Sequence, residues 1–529
     1  MERTSGEAVG LPDQSTVGAG QRAGAAPARQ GATAAVLAAV LLGMLGDALF
    51  RAPSLGINVL IWIAAVLAAV AWVARVRGRR LTRGTWMLFI PVLFFASVFT
   101  WRAAEALLVF NTLALATSLG VLALAASHWP AAGARASLAE GIAGALSLAL
   151  SGVFGAPMLV ASDHALADGG ARPRLRGAVA AIRGILIALP ILLVFGALLS
   201  SADPRFEQLL SNLIAIDFGE TISHIVLAAF IAWWAAGYLR AADVADRPLG
   251  LSAQWRAPRL TLGIAELATV LGLVDLLFAL FVAIQLPHLF GGIGRVRSVA
   301  GLTMAEYARG GFFQLVVVAA LVVPLLLAAA ALVRRDESRP WRIFRWLALA
   351  MIVLVAVMIA SALQRLALYV ATFGLTEERV YAVAIVVWLA IVFALLIATV
   401  LRGRDAGFAF AALASAWLVL GALDLVNPQA RIVEVNADRA VDGTSVDWQY
   451  ASQLSIDGGP ALARAMGRLD EDGRCAVARS LVAVANDREG GLPEDWRSWN
   501  SSRVRAFQAA NAVAPRSVLA RCPTAVKTK

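Results

Sequence analysis

The sequence predicts an all-α fold, a polytopic transmembrane helix bundle of about eleven spans with a small helical C-terminal region outside the membrane. The chain has 529 residues and is 60% hydrophobic and 15% charged, whereas a soluble domain averages about 25% charged residues. Its apolar runs continue for about twenty residues, which is the length of a membrane-spanning helix. Barrel strands would instead alternate polar and apolar residues over about ten positions, so the runs indicate helices.

Eleven runs have the length and composition of membrane spans. They lie near residues 33–50, 55–74, 86–101, 105–127, 178–200, 222–239, 262–286, 310–333, 343–366, 379–401 and 407–424. A further apolar stretch, Leu138–Pro157, is ambiguous, because it carries Glu140, two serines and four glycines. The charges of the loops decide between the alternatives.

The loop arginines define one side of the bundle, since Lys and Arg concentrate in the cytoplasmic loops of membrane proteins. Dense clusters lie within 75–83, 172–183, 240–259, 334–342 and 402–404. If all of them are cytoplasmic, an even number of spans must separate the first two clusters. Three candidate runs lie between these clusters, so one of the three does not cross the membrane, and the stretch near 138–157 is the weakest. We therefore predict that the stretch near 138–157, whose apolar side chains form one stripe, is a helix lying in the membrane interface.

The alternative is that this stretch crosses the membrane and the short run near 86–101 does not, and a count of twelve would require both to cross. Either assignment with eleven spans places the N-terminus in the cytoplasm and the C-terminus on the extracytoplasmic side.

Three regions follow from this map. Residues 1–30 are rich in Gly, Ala, Ser and Gln and are predicted to be a disordered tail. Residues 31–426 form the bundle. Residues 427–529 contain no spanning run and are predicted to be a helical extramembrane region that begins with Asn427-Pro428, an N-cap followed by proline at the first helical position. Cys475 and Cys522 either pair in an oxidising compartment or remain two thiols.

Asp275 is the clearest ionisable group inside a span. It lies halfway along Leu262–Leu286, too far from either end for its side chain to reach the interface. One interpretation is a proton or cation site. The other is a carboxyl group that joins neighbouring helices by hydrogen bonds, and Asn111 is interpreted in the same structural sense.

Other polar residues gather at the predicted extracytoplasmic ends of the helices in 262–401. Ordinary helix chemistry explains some of them, such as Thr376 as an N-cap before two glutamates. Together, however, Arg365, Tyr369, Arg379 and Tyr381 suit a polar pocket for a carboxylate or phosphate group. With Asp275, the candidate binding residues are Gln285, Glu306, Tyr307, Arg309, Gln314, Arg365, Tyr369, Arg379 and Tyr381.

Signatures of catalysis are missing from the sequence, which contains no His-Glu-x-x-His, no Gly-x-Ser-x-Gly and no Walker A loop. The four histidines are scattered, so no metal site is predicted, and no cofactor is expected. The net charge of +11 lies mostly in short loops between spans, which argues against a nucleic-acid partner.

Several motifs resemble a known family from about Ala178 onward. They are Phe281…Gln285…Leu289-Phe290-Gly291-Gly292, Glu306-Tyr307-Ala308-Arg309, Arg365-Leu366…Leu368-Tyr369, Arg379-Val380-Tyr381, Asn427-Pro428, Asp447…Tyr450, and Asp495-Trp496-Arg497…Trp499-Asn500. The chain is similar to an uncharacterised bacterial multi-pass membrane protein family known only as a domain of unknown function. This resemblance implies an integral protein of the bacterial cytoplasmic membrane and implies no activity.

Three hypotheses for function follow. The first is a non-enzymatic sensing, binding or assembly component, whose partners are the lipid bilayer and a membrane or envelope protein. The second is a secondary transporter or permease that couples to protons through Asp275. The third is a membrane enzyme acting on a lipid-linked or envelope substrate, which no residue spacing requires.

Overall fold

A computed structural model describes residues 14–127, 219–243, 264–290, 312–333, 338–404, 406–441, 446–486, 495–513 and 515–522, together with several residues between 144 and 159. Every regular element in these ranges is a helix. Nine of the described helices are long and apolar enough to cross a membrane. The protein is therefore a polytopic helical bundle, as the sequence predicts.

Eleven helices of the bundle lie within the described residues. They are α1 (Gln14–Phe50), α2 (Ile57–Val76), α3 (Arg83–Met87), α4 (Phe89–Val98), α5 (Glu105–Ala126), α6 (Gly219–Asp243), α7 (Ile264–Phe290), α8 (Phe312–Leu332), α9 (Ser338–Phe373), α10 (Glu377–Ala398) and α11 (Phe408–Val426). Each corresponds to a predicted span, with α3 and α4 sharing the run near 86–101. The predicted span near 178–200 lies outside the described residues.

The C-terminal region is built from six short helices. They are α12 (Pro428–Val441), α13 (Trp448–Ser452), α14 (Gly459–Ala465), α15 (Glu471–Asn486), α16 (Ser501–Ala512) and α17 (Pro515–Leu519). Their apolar faces form a separate core that includes Ile432, Leu462 and Leu481. Cys475 on α15 is joined to Cys522 by a disulfide, with the Cα atoms 5.8 Å apart, so the structure pairs the two cysteines.

Alternating helix directions give the bundle two distinct ends. The loops 51–56, 99–104 and 374–376 contact the C-terminal region, and we call this the docked end. The loops 77–82 and 399–407 lie at the opposite end, which we call the arginine end. The arginine clusters 75–83 and 402–404 are thus on the far side of the bundle from the C-terminal region, as the pattern of loop charges predicts.

The short pair α3–α4 runs between these two ends. Thr82 caps α3 by accepting a hydrogen bond from the Thr85 N–H at 3.2 Å. The Thr85 hydroxyl lies 3.5 Å from the Ala125 carbonyl, near the arginine end of α5. At the other end, α4 leads directly to Ala104, which precedes the first residue of α5 at the docked end. The pair therefore extends alongside α5, and its assignment as a span stays a prediction.

Small residues allow close helix packing in the N-terminal half of the bundle. A Cβ atom added at Gly43 of α1 would lie 2.4 Å from the Ala228 carbonyl oxygen of α6. One added at Gly155 would lie 2.7 Å from the Cα atom of Gly237. Inside a membrane the hydrophobic effect does not drive helices together, because lipid is as apolar as their side chains. Close packing at small residues stabilises helix pairs instead. The rest of the interfacial helix predicted near 138–157 lies outside the described residues, so its placement in the interface stays a prediction.

The N-terminus differs from the prediction. Helix α1 begins at Gln14, whereas the sequence analysis assigned 1–30 to a disordered tail. Residues 14–30 hold three glycines and Pro27, which weaken a helix, beside alanine, glutamine and arginine, which favour one. Adding residues to an existing helix avoids the cost of nucleation. The span within α1 therefore extends as helix toward the N-terminus, and residues 1–13 lie outside the described part of the chain.

Candidate functional site

Tyr369 and Arg379, two of the predicted binding residues, are in contact at the docked end. The guanidinium carbon of Arg379 lies 4.1 Å from the centre of the Tyr369 ring, and this ring packs on Phe373 with the centroids 4.8 Å apart. Arg379 also donates a hydrogen bond to the Gly374 carbonyl. The positive charge is thus held over an aromatic face at the turn between α9 and α10.

The turn between α9 and α10 is held by the C-terminal region. Gly374 has a φ of +82°, which favours glycine, and an added Cβ atom would lie 2.6 Å from Oδ1 of Asn436. Asn436 of α12 accepts a hydrogen bond from the Leu375 N–H at 2.8 Å and donates one to the Leu375 carbonyl at 2.9 Å. The Arg379–Tyr369 pair is therefore attached to α12.

Tyr381 faces a different set of partners. Its hydroxyl accepts a hydrogen bond from Nε2 of Gln429 at 3.3 Å, and the same amide donates to Oε1 of Glu377 at 2.6 Å. The Tyr450 hydroxyl accepts from the Glu377 N–H at 2.9 Å, so it replaces the side-chain cap that Thr376 was predicted to supply. Burial raises the pKa of Tyr450, which keeps its phenol neutral at physiological pH.

No described contact brings Asp275 or Gln314 into this group. Gln314 is exposed on α8, and Arg365 is half-buried on α9. Asp275 is only 9% exposed, and no described residue donates a hydrogen bond to either of its carboxylate oxygens. Glu306, Tyr307, Arg309 and the side chain of Gln285 lie outside the described residues. One shared pocket for all of these residues therefore stays a prediction.

A buried polar group at the docked end was not predicted as a site. We call it the seam, and it consists of Arg102, Asn111, Asp424, Asp457 and Asn500. Each of these side chains is at most 5% exposed. The first three belong to the bundle and the last two to the C-terminal region, so the seam joins the two parts of the chain.

Asp457 is the centre of this join. Both carboxylate oxygens accept from the Ala103 N–H, at 3.0 and 2.9 Å, and one also accepts from the Ala104 N–H at 2.9 Å. The Ser502 hydroxyl donates to the same carboxylate. Asp457 therefore satisfies backbone donors just before α5, and hydrogen bonds to a charged acceptor are stronger than neutral ones.

Arg102 joins the loop before α5 to the end of α11. Its Nε and one terminal nitrogen donate to the Asp424 carbonyl at 2.8 and 2.6 Å. Burial lowers the pKa of Arg102, and the Asp457 and Asp424 carboxylates oppose that shift, so the guanidinium stays charged. A cation at this position also complements the negative end of the α11 dipole.

Asp424 is fully buried and interacts with α5. Asn111 donates from Nδ2 to Oδ1 of Asp424 at 2.8 Å and to the Leu107 carbonyl at 2.9 Å. This bridge between α5 and α11 fits the structural interpretation of Asn111. Oδ2 of Asp424 and Oδ1 of Asn111 have no hydrogen-bond partner. Both atoms are acceptors, so neither can donate to the other.

Asn500 closes the seam from the C-terminal side. Its Nδ2 donates to the Phe99 and Arg102 carbonyls, both at 2.8 Å, and its Oδ1 accepts from the Ser502 N–H at 2.8 Å as the N-cap of α16. The Ile57 N–H also donates to the Trp499 carbonyl at 3.0 Å. Helix α16 is thus fixed against the ends of α2 and α4.

Asp495 and Arg497 extend the same contact. Arg497 donates to both carboxylate oxygens of Asp495, at 2.8 and 2.9 Å from Nε. These hydrogen bonds hold the pKa of Asp495 below its usual value. Arg497 also donates to the Ala48 carbonyl at the end of α1, so this half-buried pair reaches the bundle as well.

Sequence separation explains why the seam was missed. Asn111 and Asp424 are 313 residues apart, and Ala103 and Asp457 are 354 residues apart. Asp424 also lies close to the end of its span, where a charge normally indicates only the membrane interface. The signal that pointed here was the group of resembling motifs in the C-terminal region, which includes Asn500.

Metal chemistry has no evident centre in the described part of the chain, where no group of three His, Cys, Asp or Glu residues could hold an ion. The expectation that no cofactor is bound remains a prediction.

Comparison with known proteins identifies the family of the chain. No curated protein and no solved structure gives a significant match. A family model described as "Domain of unknown function (DUF4153)" matches residues 89–465. That range starts in α4 and ends with α14, so it includes Arg102, Asp424 and Asp457 of the seam. Because the match extends over more than half of its length, the chain belongs to the DUF4153 family.

Proposed function

We propose that this integral membrane protein is a non-enzymatic binding and assembly component of the bacterial cytoplasmic membrane. Its C-terminal region, docked on the extracytoplasmic end of the bundle, would bind a membrane or envelope protein. The seam is the observation that carries the proposal. Asp457 and Asn500 fix the region to the bundle through buried hydrogen bonds, which suits a rigid platform rather than a loosely tethered domain.

Two observations support the extracytoplasmic position of this region. The arginine clusters 75–83 and 402–404 lie at the opposite end of the bundle, and such clusters favour the cytoplasm. The bond between Cys475 and Cys522 requires an oxidising compartment, which the bacterial cytoplasm is not. Both observations support an extracytoplasmic C-terminus, and the arginine clusters also support a cytoplasmic N-terminus.

The docking also supports a sensing role. Asn436 attaches α12 to the turn that holds Arg379 over Tyr369. A partner that moves α12 would therefore move this turn and the ends of α9 and α10. Coupling of this kind needs an unbroken chain of packed and hydrogen-bonded contacts, which these residues supply.

Site-specific photo-crosslinking in cells tests the proposal. A photoreactive phenylalanine replaces Arg474 or Arg479, both exposed on α15, or Arg404 at the arginine end as a control. We expect the α15 positions to form an adduct with one defined membrane or envelope protein and the control position not to form it. Adding Asp457→Ala should reduce the adduct severalfold, because the platform is then undocked.

Two results would contradict this function. One is the absence of an adduct from both α15 positions while the protein is present at its normal level. The other is an equal adduct from Arg404, which would mean contact without the docked region.

A transporter remains the second candidate, because Asp275 is buried without a hydrogen-bond partner inside a span. An ionised carboxylate in this setting is costly, so the group suits reversible binding of a proton. Proteoliposomes loaded with a pH-sensitive dye and given a pool of small metabolites should show proton flux. Asp275→Asn should abolish that flux and Glu266→Gln, on the exposed face of the same helix, should preserve it. Equal flux from wild type and Asp275→Asn would exclude proton coupling through this residue.

A further inference from the structure

A cavity of about 480 Å³ lies at the arginine end, between the last turn of α2 and the start of α3. Three arginines, Arg75, Arg79 and Arg80, contribute to its wall, together with the apolar side chains of Leu81 and Trp86. This volume falls in the usual range for small-molecule sites in proteins. The cavity is far from the seam and from the C-terminal region.

A tight turn brings the three arginines together. Helix α2 ends at Val76, and Gly78 follows with a φ of +70°. The N–H groups of Gly78 and Arg79 donate to the carbonyls of Arg75 and Ala74, at 2.9 and 2.8 Å, which closes the end of the helix. The chain therefore reverses direction within a few residues. This tight turn holds the guanidinium groups of the three arginines around the cavity, whereas a longer loop would let them spread apart.

No described carboxylate neutralises the charges of Arg75 and Arg80. Arg75 and Arg80 are exposed, and neither forms an ion pair with any carboxylate of the described residues. Arg79 is fixed by a hydrogen bond from its guanidinium to the Ala126 carbonyl of α5 at 2.8 Å. One arginine is thus positioned by the fold, and two remain available for an anion.

The opposite wall of the cavity leads to the lipid-facing surface. Trp86 is 47% exposed, and Met87 and Ile90, which follow it on α3 and α4, are 66% and 69% exposed. Tryptophan concentrates at the boundary between headgroups and hydrocarbon in membrane proteins. A ligand in this cavity would therefore have its anionic part beside the arginines and an apolar part beside Trp86 and Met87.

We propose that this cavity binds the headgroup of an anionic phospholipid. The phosphate would lie between Arg75 and Arg80, and an acyl chain would extend along Trp86, Met87 and Ile90. Basic cavities between helices at this depth are recognised sites for anionic lipids. Loop arginines often serve only to set the orientation of a protein in the membrane. Arg402 and Arg404 can serve this purpose at the same end of the bundle, and they do not line the cavity. Arg75 and Arg80 therefore differ from them in facing a space that a ligand could fill.

Native mass spectrometry of the full chain in detergent tests the proposal, with titration of phosphatidylglycerol, phosphatidylcholine or glycerol 3-phosphate. We expect wild type to retain phosphatidylglycerol in preference to phosphatidylcholine. The double variant Arg75→Ala/Arg80→Ala should bind phosphatidylglycerol about thirtyfold more weakly, as expected for two arginines near an anionic lipid. The control Arg402→Ala/Arg404→Ala removes the same charge and should bind as wild type does.

Three outcomes would overturn the site. An equal loss in the control variant would mean general attraction to the basic end. Glycerol 3-phosphate binding as tightly as the lipid would assign the cavity to a soluble phosphate. The variant Trp86→Ala keeps all the arginines. If it bound phosphatidylglycerol as tightly as wild type does, contact between the acyl chain and Trp86 would be excluded. Because Arg75, Arg80 and Trp86 are exposed, these variants should fold normally.

Discussion

Replacing Asp457 with alanine should detach the C-terminal region from the bundle while that region keeps its own fold. The change leaves the buried N–H groups of Ala103 and Ala104 and the Ser502 hydroxyl without an acceptor. Each unpaired buried group costs about 1–3 kcal/mol, so the loss of three acceptor contacts should weaken docking by at least about 3 kcal/mol. Hydrogen exchange measures this directly, because the Ala103 and Ala104 amides should become much less protected.

Asp438→Ala is the matched control. Asp438 belongs to the same region, but its side chain is 65% exposed and pairs only with Arg468. An exposed ion pair contributes about 0–1 kcal/mol, so protection at Ala103 and Ala104 should not change. Unchanged protection in Asp457→Ala as well would show that the seam does not hold the region in place.

Replacing Cys475 and Cys522 with serine should unfold the C-terminal region rather than release it intact. The disulfide closes a loop of 47 residues, and a loop of this length stabilises the folded state by about 4 kcal/mol in the chain-entropy account. The region has a small core, so such a loss is a large part of its stability. Proteolysis of the intact protein should cut within 446–522 in the variant and spare this range in the wild type.

Thiol labelling provides the control for this prediction. The chain has only two cysteines, so a maleimide reports on this pair alone. Wild type isolated from cells without reductant should not react, whereas the single variant Cys475→Ser should react through Cys522. A reactive wild type would contradict both the bond and the extracytoplasmic position of the region.

These two variants separate two sources of stability. Asp457→Ala breaks contacts between the bundle and the C-terminal region, and its effect should appear at the ends of α4 and α5. The cysteine variant acts within the region, between α15 and the residues after α17. If both gave the same exchange pattern, docking and folding of the region would be one cooperative event.

The fold could be predicted because its strongest signal is local. A run of about twenty apolar residues indicates a spanning helix without any knowledge of its neighbours, and the runs that became α2, α5 and α11 show this. Boundaries were less predictable. Helix α9 has 36 residues, Ser338–Phe373, whereas the prediction was 343–366, because polar turns can continue a helix beyond the membrane.

The candidate site could be predicted only where its residues are close in sequence. Tyr369 and Arg379 lie on either side of one turn, so their contact follows from the helix map. Asp424 and Asp457 are understandable only through partners on α5 or just before it, more than 300 residues away. Their charges have no local pattern, and only the packed structure shows that backbone N–H groups and a buried asparagine require them.

The short pair α3–α4 has a consequence for how the protein is made. At 1.5 Å per residue, Arg83–Val98 is about 24 Å long, less than the roughly 30 Å of hydrocarbon in a bilayer. The end of α4 at the docked end therefore lies deeper in the bundle than the ends of the longer helices around it. The backbone of Ala103 and Ala104, which follows α4, lies deeper as well. Asp457 and Asn500 follow every described span in the sequence, so they are synthesised after the bundle helices that they contact. Until Asp457 docks, the N–H groups of Ala103 and Ala104 lack the acceptor that they have in the folded protein, so this end of the bundle is completed by a segment that is made late.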